Sequence, residues 1–429
     1  MTPVAEDGVI DRGSAPRPGG PADTILYAGA FEFPDRNAAA QRAIANASIF
    51  RDLGYRVVLI GLSRELGEAD GARRATFDTG GMDCWELPYP AGRGAWLRRI
   101  VSGADVLAIA DAHYAGRLAA LILYDYPAVA QERLRRAAHA RGAVAIGEAT
   151  EWYSVSRMRS VAAVARNIDR PLRMRWANHR MDGMIVASEF LRDFYGRGGQ
   201  PVLELPTLLA DPPVEADGAA TPDGKPKRLF FAGSGFDPRT VAESREGPKD
   251  RLDKVVEALG VAQGLGAGFV LDVYGVERSD YLAVMPLHAP LLETLGDRIL
   301  FHGRQPRALV RARLAASDYS IFLRKKSIVS LAGFPTKFGE SIHFGTPVIT
   351  NALGSLMRYH TEGRTGWYID YEDSVSAGER LASILQGSQA EVSAMKTHCR
   401  TSGLFHYSAF VEATGHFVVS AGVSDVLPG

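Results

Sequence analysis

Twice along this chain a series of short apolar runs alternates with segments of helical period, and one stretch with neither character separates the two series. The first series opens with Thr24–Ala30 (TILYAGA), passes through a helical pattern from Asn37 to Leu53 that ends at Gly54, and returns to an extended run at Tyr55–Gly61. Further strand-like runs are expected at Ala104–Ala110, Ala119–Tyr124, Ala143–Ile146 and Gly183–Ala187. Strands and helices alternating at this spacing specify a parallel sheet covered on both faces. Between the series, Asp211–Lys227 (DPPVEADGAATPDGKPK) is rich in Pro, Gly, Ala and charge and carries no periodic apolar face, the composition of a linker. The pattern then restarts with runs at Arg228–Gly233, Phe269–Gly275, Arg298–Gly303, Tyr319–Leu323 and Pro347–Thr350. Three of these close on glycine, the residue expected where a strand turns sharply toward a ligand.

The expected architecture is therefore α/β with two doubly wound, Rossmann-like domains facing across a cleft. Its parts are a flexible tail (1–21), a first domain (22–208), a linker (209–227), a second domain (228–404) and a C-terminal segment (405–429). Within the last, Phe405–Ser420 is expected as a helix that crosses back to the first domain. A chain of 429 residues is too long for one core, and 46% hydrophobic with 23% charged residues suits a globular enzyme. Lys+Arg and Asp+Glu balance at 49 each, so no overall field draws nucleic acid. Cys84 and Cys399 form neither a disulfide framework nor a zinc motif, and the tail lacks a signal-peptide pattern, which suits a cytoplasmic setting. No apolar window approaches the ~18 residues of a membrane span. In open α/β sheets ligands bind beyond the carboxyl ends of the strands, so the site belongs in the cleft.

The stretch Ala332–Ser341 (AGFPTKFGES) is the most informative. A turn over Gly333, Phe334, Pro335 and Thr336 offers backbone N–H groups, Lys337 adds a cation, and beyond Phe338 the acid Glu340 lies about one helical turn after Lys337 on the same side. A diphosphate suits the N–H groups at the helix start, where the dipole favours anions. A carboxylate at Glu340 can accept from both hydroxyls of a ribose. Diphosphate and ribose together make a nucleotide.

This stretch resembles the donor-binding signature of the family-4-type retaining glycosyltransferases, which have the GT-B fold, and its AGFPTKF form resembles a subgroup from bacterial polysaccharide and natural-product gene clusters. In that family two glutamates stand eight positions apart and the second binds the donor ribose. Glu340 matches the second, while Ala332 occupies the place of the first, near the donor sugar. Phe33–Arg42 (FPDRNAAAQR) resembles the subgroup's first strand-to-helix loop, which gives Gly29, Phe33, Asp35, Arg36 and Asn37 as acceptor-side candidates. Glu148–Tyr153 (EATEWY) and Asp182–Ser188 resemble later elements of the same domain. Phe231–Ser234 and Lys249-Asp250 resemble paired phosphate-binding elements, with an insertion between them that carries Arg239 and Arg245, and Arg324 stands where the subgroup also has arginine.

The resemblance thus implies donor contacts at Gly233, Ser234, Lys249, Arg324 and the stretch from Gly333 to Glu340, with Lys249, Arg324 and Glu151 as catalytic candidates. Many family members carry a histidine in the first domain where this chain offers Glu148 or Glu151. His113, His302 and His343 are isolated and expected to be structural. With no DxD-like element, the cations are expected to neutralise the leaving diphosphate without metal, and no cofactor is expected beyond the nucleotide sugar as substrate. Retention of anomeric configuration is implied by the resemblance. Expected partners are the donor and a small-molecule, glycan or lipid-linked acceptor. The basic stretch from Arg157 to Arg180, in which Asp169 is the one acid, reads either as a surface for anionic lipid or a phosphorylated acceptor, or as a solvated helix face. Rival readings are a pseudo-glycosyltransferase or epimerase-like enzyme and a non-catalytic nucleotide-sugar-binding protein. A Rossmann dehydrogenase is disfavoured, because no GxGxxG follows Tyr27 or Phe231.

Overall fold

The computed structural model describes residues 22–34, 36–77, 79–153, 161–212, 224–233, 236, 238, 241 and 248–424. Two sheets organise the chain. The first contains β1 (Thr24–Gly29), β2 (Arg56–Ser63), β3 (Arg73–Arg74), β4 (Asp83–Pro88), β5 (Leu118–Tyr124), β6 (Val144–Ala149), β7 (Gly183–Val186) and β8 (Val202–Glu204) in the order β3-β4-β2-β1-β5-β6-β7-β8. Only β3 runs antiparallel to its neighbour. The second contains β9 (Lys227–Ala232), β10 (Phe269–Tyr274), β11 (Ile299–Gly303), β12 (Tyr319–Ile321), β13 (Val348–Thr350) and β14 (Gly366–Tyr368) in the order β11-β10-β9-β12-β13-β14. Counted along its own segment, the second sheet runs 3-2-1-4-5-6, the doubly wound Rossmann order. The strand order therefore reverses between β1 and β5 in one sheet and between β9 and β12 in the other, and these crevices are where such sheets bind ligands.

The strands are apolar on both faces because helices cover both, and every residue of β1 is buried. The helix Ala38–Asp52 begins where the Asn37 side chain accepts from Ala40 N at 2.8 Å, and its run of alanines lets it lie close on the sheet. Large cores flank both sheets, one of them joining Leu229, Phe231, Leu271, Ile321 and Ile349 with the helices of the second segment.

One expected strand is a helix: Ala104–Ala110 lies in the helix Ala104–His113. Its sequence is rich in alanine, which favours the helix, and a short apolar run alone does not separate the two states. The strand actually present in that part of the sheet is β4, whose Asp83 and Glu86 pair with Arg56 and Arg73 and so hide its apolar alternation. The helix Val411–Ser420 puts Phe417 and Val418 into a core with Ile25 and Ile185 of the first sheet. Tail residues 1–21, Asp35, Ser234, Arg239 and Arg245, together with Arg157 and Arg159 of the basic stretch, lie outside the described residues. Among the described residues no helix is long and apolar enough to cross a membrane.

Candidate functional site

At the switch point of the second sheet, the segment around Asp250 adds itself to the end of β12. Asp250 and Arg324 form an antiparallel bridge, with Arg251 N donating to Leu323 O at 2.7 Å and Lys325 N to Lys249 O at 3.3 Å. Asn351, just past β13, fixes this junction from below, since its Oδ1 accepts from Arg324 N at 2.8 Å and its Nδ2 donates to Arg324 O at 3.1 Å. Backbone pairing thus brings together side chains that are 74 residues apart in sequence: Arg324 Nε donates to Asp250 Oδ1 at 3.2 Å. Lys337, from the first turn of the helix Thr336–His343, donates to the other oxygen of Asp250.

Three cations therefore gather around one carboxylate. Burial alone would raise the Asp250 acid, but Lys337 and Arg324 hold it down at about 2. Burial lowers both lysines below the ordinary ammonium value; Arg324 presses Lys249 further down, while Glu151 and Asp250 oppose the shift, and Asp250 opposes it at Lys337. Arg324 is 7% exposed and its Nη1 is buried with no hydrogen-bond partner among the described residues. An unsatisfied guanidinium nitrogen inside a cation cluster is costly, and an anion would relieve it.

Glycine is required around this cluster. Gly233, at the end of β9, leaves room for the Lys337 ammonium, which would lie 3.0 Å from a Cβ at that position. Gly275 has a positive φ of 80°, and a Cβ there would meet Gly233 O at 2.5 Å. The strand-end glycines are joined in register, with Gly233 N donating to Tyr274 O at 3.0 Å and Gly275 N to Gly303 O at 2.7 Å.

Glu340 lies one turn along from Lys337 and lines a cavity of about 110 Å³ with Phe230, Ala232, Arg307 and Arg311. Its carboxylate is 3.7 Å from the Arg307 guanidinium. Burial raises its acid value, against the pull of Arg307, Arg311 and Lys337. Arg307 and Arg311 were missed in the sequence, although their spacing of four on the helix Arg307–Ala316 places them on one face. Asp250 was also missed as a site residue. It adjoins Lys249, but only the fold shows that it holds the other two cations.

The two sheets meet at this cluster. A Cβ on Gly333 would lie 3.5 Å from Lys249 Nζ and 3.8 Å from Thr150 O, which follows β6 of the first sheet. Glu151, beside Thr150, is exposed and close enough to act on Lys249 electrostatically. Ser188 Oγ donates to Ala332 O at 2.6 Å, and Ala332 is fully buried against the first-domain core. The position that a glutamate takes in the resembling family is thus closed by the first domain.

Several expected contacts serve as packing instead. Phe334 and Phe338 are buried in an aromatic cluster with Phe405 and Tyr359, so their side chains anchor the turn from behind. Pro335 and Thr336 form the start of the helix, whose N-cap has no side-chain partner. In the first domain Phe33 is 2% exposed and packed on Phe31 and Phe77, Gly29 is buried against Phe31 and Tyr124, Asn37 caps a helix, and Arg36 pairs with Glu65. None of these four places a free side chain in the cleft. Glu148 is enclosed: it accepts from Arg42 Nε at 2.6 Å, from Asn46 Nδ2 at 3.1 Å and from the Tyr27 hydroxyl. His302 stacks on Tyr274 and pairs with Asp272, His343 bonds Asp211 O, and His113 packs at a tilt against Trp85. Among the described residues no three His, Cys, Asp or Glu side chains are grouped to hold a metal ion.

Sequence and structure comparisons agree with this geometry. Residues 244–399 match the glycosyl transferases group 1 family. That segment runs from just before Lys249 to beyond Glu340 and includes every described member of the cation cluster. A search of curated proteins finds no match. Among solved structures, sucrose-phosphate synthase from Thermosynechococcus elongatus is similar at 15% identity and TM-score 0.60, over 92% of this chain and 98% of that one. The pneumococcal O-GlcNAc transferase GtfA, solved with UDP and GlcNAc, is similar at 12% identity and TM-score 0.59, over 94% and 99%. Anabaena HepE, solved with UDP and glucose, is similar at 13% identity and TM-score 0.55, over 92% and 99%. At these identities the likeness establishes the fold: the chain has the GT-B architecture of two Rossmann-like domains, with a glycosyl transferases group 1 segment forming most of the second.

Proposed function

We propose that the chain is a glycosyltransferase that takes a sugar from a nucleoside diphosphate sugar, without metal and with retention of configuration, and passes it to an acceptor held by the first domain. The observation that carries this reading is the surplus of cations at the β9/β12 switch point, with Arg324 buried and Lys249 and Lys337 half-buried. Lys249, Lys337 and Arg324 share one carboxylate at the start of a helix that presents Glu340 a turn later. A diphosphate would take the surplus charge and the unpartnered Arg324 nitrogen, while the ribose would lie against Glu340 in the cavity beside it. In the transfer step negative charge grows on the departing diphosphate, and cations already fixed in a partly dry site stabilise it without reorganising. Glu151 is placed at the facing edge, on the side from which the acceptor approaches. The structures with bound UDP make a uridine nucleotide the first donor to test, with a guanosine nucleotide second. The two free, buried cysteines suit a reducing, cytoplasmic compartment.

The test is thermal unfolding of the wild type and Glu340→Ala with UDP, GDP, ADP, dTDP, NAD and NADP. One nucleoside diphosphate should raise Tm by mass action, and the variant should bind it about 10- to 100-fold more weakly through loss of charged hydrogen bonds. Stabilisation by NAD or NADP alone, or nucleotide binding that ignores Glu340, overturns the proposal. Release of free nucleotide only when an acceptor is present would separate a transferase from a binding protein.

A further inference from the structure

The switch point of the first sheet opens into a second cavity, of about 410 Å³, at the ends of β1, β2 and β5. Its floor is Asp125, which directly follows β5 and has a positive φ of 46°, the left-handed region that a non-glycine residue adopts at a cost. Three contacts hold it there: Arg173 Nη1 donates to Asp125 O at 2.6 Å, Tyr153 Oη donates to Asp125 Oδ2 at 2.5 Å, and Asp125 N donates to Glu148 O at 3.1 Å. A strained residue fixed from three sides at a ligand-binding crevice marks a built site. Its occupant can be argued from the charges around it.

The walls are guanidinium and aromatic. Arg99, Arg166 and Arg170 line the cavity, and none of them has a carboxylate within ion-pairing distance among the described residues. Arg170 and Arg173 lie over the Tyr153 ring at 4.4 and 5.0 Å, and Arg99 lies over Tyr126 at 5.3 Å, contacts that hold the guanidinium planes without neutralising them. Asp125 is engaged with Arg173 and Tyr153, and Asp169 accepts from Ala128 N at 2.8 Å and also attracts Arg173 and Arg170, so among the described lining residues the guanidinium groups Arg99, Arg166, Arg170 and Arg173 outnumber the carboxylates Asp125 and Asp169. Tyr89 and Trp96 provide an apolar wall beside the cations. The cavity is one residue removed from the donor side, because Tyr124 in its lining bonds the Thr150 hydroxyl at 3.2 Å, and Thr150 O would lie 3.8 Å from a Cβ on Gly333.

The geometry points to an acceptor that carries a phosphate: the group is gripped by Arg99, Arg166 and Arg170, and the rest of the acceptor lies on Tyr89 and Trp96 with a hydroxyl directed past Thr150. Phosphate is the group chosen because planar guanidinium forks bond two oxygens each, and a lining in which guanidinium groups outnumber carboxylates suits a dianion with three free oxygens. The inference deepens the glycosyltransferase reading and rests on it for the word acceptor, while the phosphate site stands on the cavity alone. It also divides the basic stretch. Arg166, Arg170 and Arg173 face the cavity, while Val164, Ile168, Leu172 and Trp176, spaced four apart, form the exposed stripe.

The experiment is 31P NMR of inorganic phosphate and of glucose 6-phosphate with the full chain, in the presence of saturating UDP so that the donor cluster is filled. Line broadening should appear with the wild type and weaken about 10-fold or more in Arg166→Ala, whose side chain is exposed, and in Arg99→Ala, with UDP affinity unchanged. Vesicles of phosphatidylcholine with and without phosphatidic acid separate the sources: sedimentation that requires Arg99 and Arg166 assigns a lipid-borne phosphate, and broadening without sedimentation assigns a soluble one. No broadening in the UDP-saturated protein, or equal broadening in the variants, overturns the phosphate site. If UDP does not bind, the donor reading fails independently; phosphate binding that depends on Arg99 and Arg166 would still uphold this one.

Discussion

Each domain buries a carboxylate among cations behind its strand ends, and the two clusters differ in whether they close. In the first domain Glu148 faces one arginine. Every guanidinium nitrogen of Arg42 has a partner, in Glu148, Pro206 O at 2.7 Å and Leu205 O at 2.9 Å, and both Glu148 oxygens are bonded. In the second domain Asp250 faces Arg324 and Lys337 with Lys249 close by, and an Arg324 nitrogen has no hydrogen-bond partner among the described residues. A balanced cluster ties the helix Ala38–Asp52 to the sheet and to the chain after β8. An unbalanced one keeps a debt of charge that a ligand can settle. Both places pair a carboxylate with a cation, with Glu148 fully enclosed and Asp250 less so, and it is the surplus, not the presence of ionisable groups, that marks the second as the candidate site.

The widest separation of the two should come from removing each acid. Glu148→Ala leaves Arg42 buried and uncompensated, and should cost about 3–5 kcal/mol of stability in chemical denaturation, with a UDP-induced gain no larger than that of the wild type. Retained stability would show that the first cluster is not the strut described. Asp250→Asn should cost less, about 1–3 kcal/mol, and UDP should raise its Tm more than it raises that of the wild type, because the nucleotide replaces the missing charge. An equal ligand shift in both proteins would break the distinction between closed and open clusters. In the wild type the Asp250 contribution is fully present above the unfolded carboxylate range and fades as pH falls toward about 2.

The smallest effect is the pH profile of UDP affinity. On the proposed reading it is the ammonium forms of Lys249 and Lys337 that meet the diphosphate, and burial has lowered both, so affinity should begin to fall on the alkaline side below the ordinary lysine value. The ribose role proposed for Glu340 needs its carboxylate form, and burial has raised its acid value, so affinity should also fall as pH drops through that raised value. Glu340→Gln should remove the acidic limb and leave the alkaline one. Calorimetric titration across pH in both proteins measures this, and an acidic limb that survives in the variant would take the ribose role away from Glu340.

Much of this was readable from residues near one another in sequence. The stretch from Gly333 to Glu340 shows its turn, cation and acid within a single helix start, and β9 to β13 are short apolar runs, three of them closing on glycine, so both are legible, whereas the three-residue β14 is too short to stand out. What was not legible depends on pairing across the fold. Asp250 acquires its role through a bridge to Arg324, and Asn351 through bonds to that same junction. The arginine cavity is assembled from helices and loops far apart along the chain. Phe33, Phe334 and Phe338 show the reverse: their positions in a recognisable loop or turn are informative, while their side chains turn inward because an apolar ring gains more from the core than from a cleft.

The chain passes between the two domains twice, and the passages touch. Leu209 N donates to Phe405 O at 2.9 Å, and Tyr407 N donates to Leu209 O at 3.1 Å, before the helix Val411–Ser420 seats itself under the first sheet. One crossing would act as a ball joint. Two crossings laced side by side act as a door hinge, which permits swing about a single axis and resists twist. Any approach of the arginine cavity toward the cation cluster is thereby steered along one path, so the register between the two sites is set by the joint and need not be found anew at each turnover.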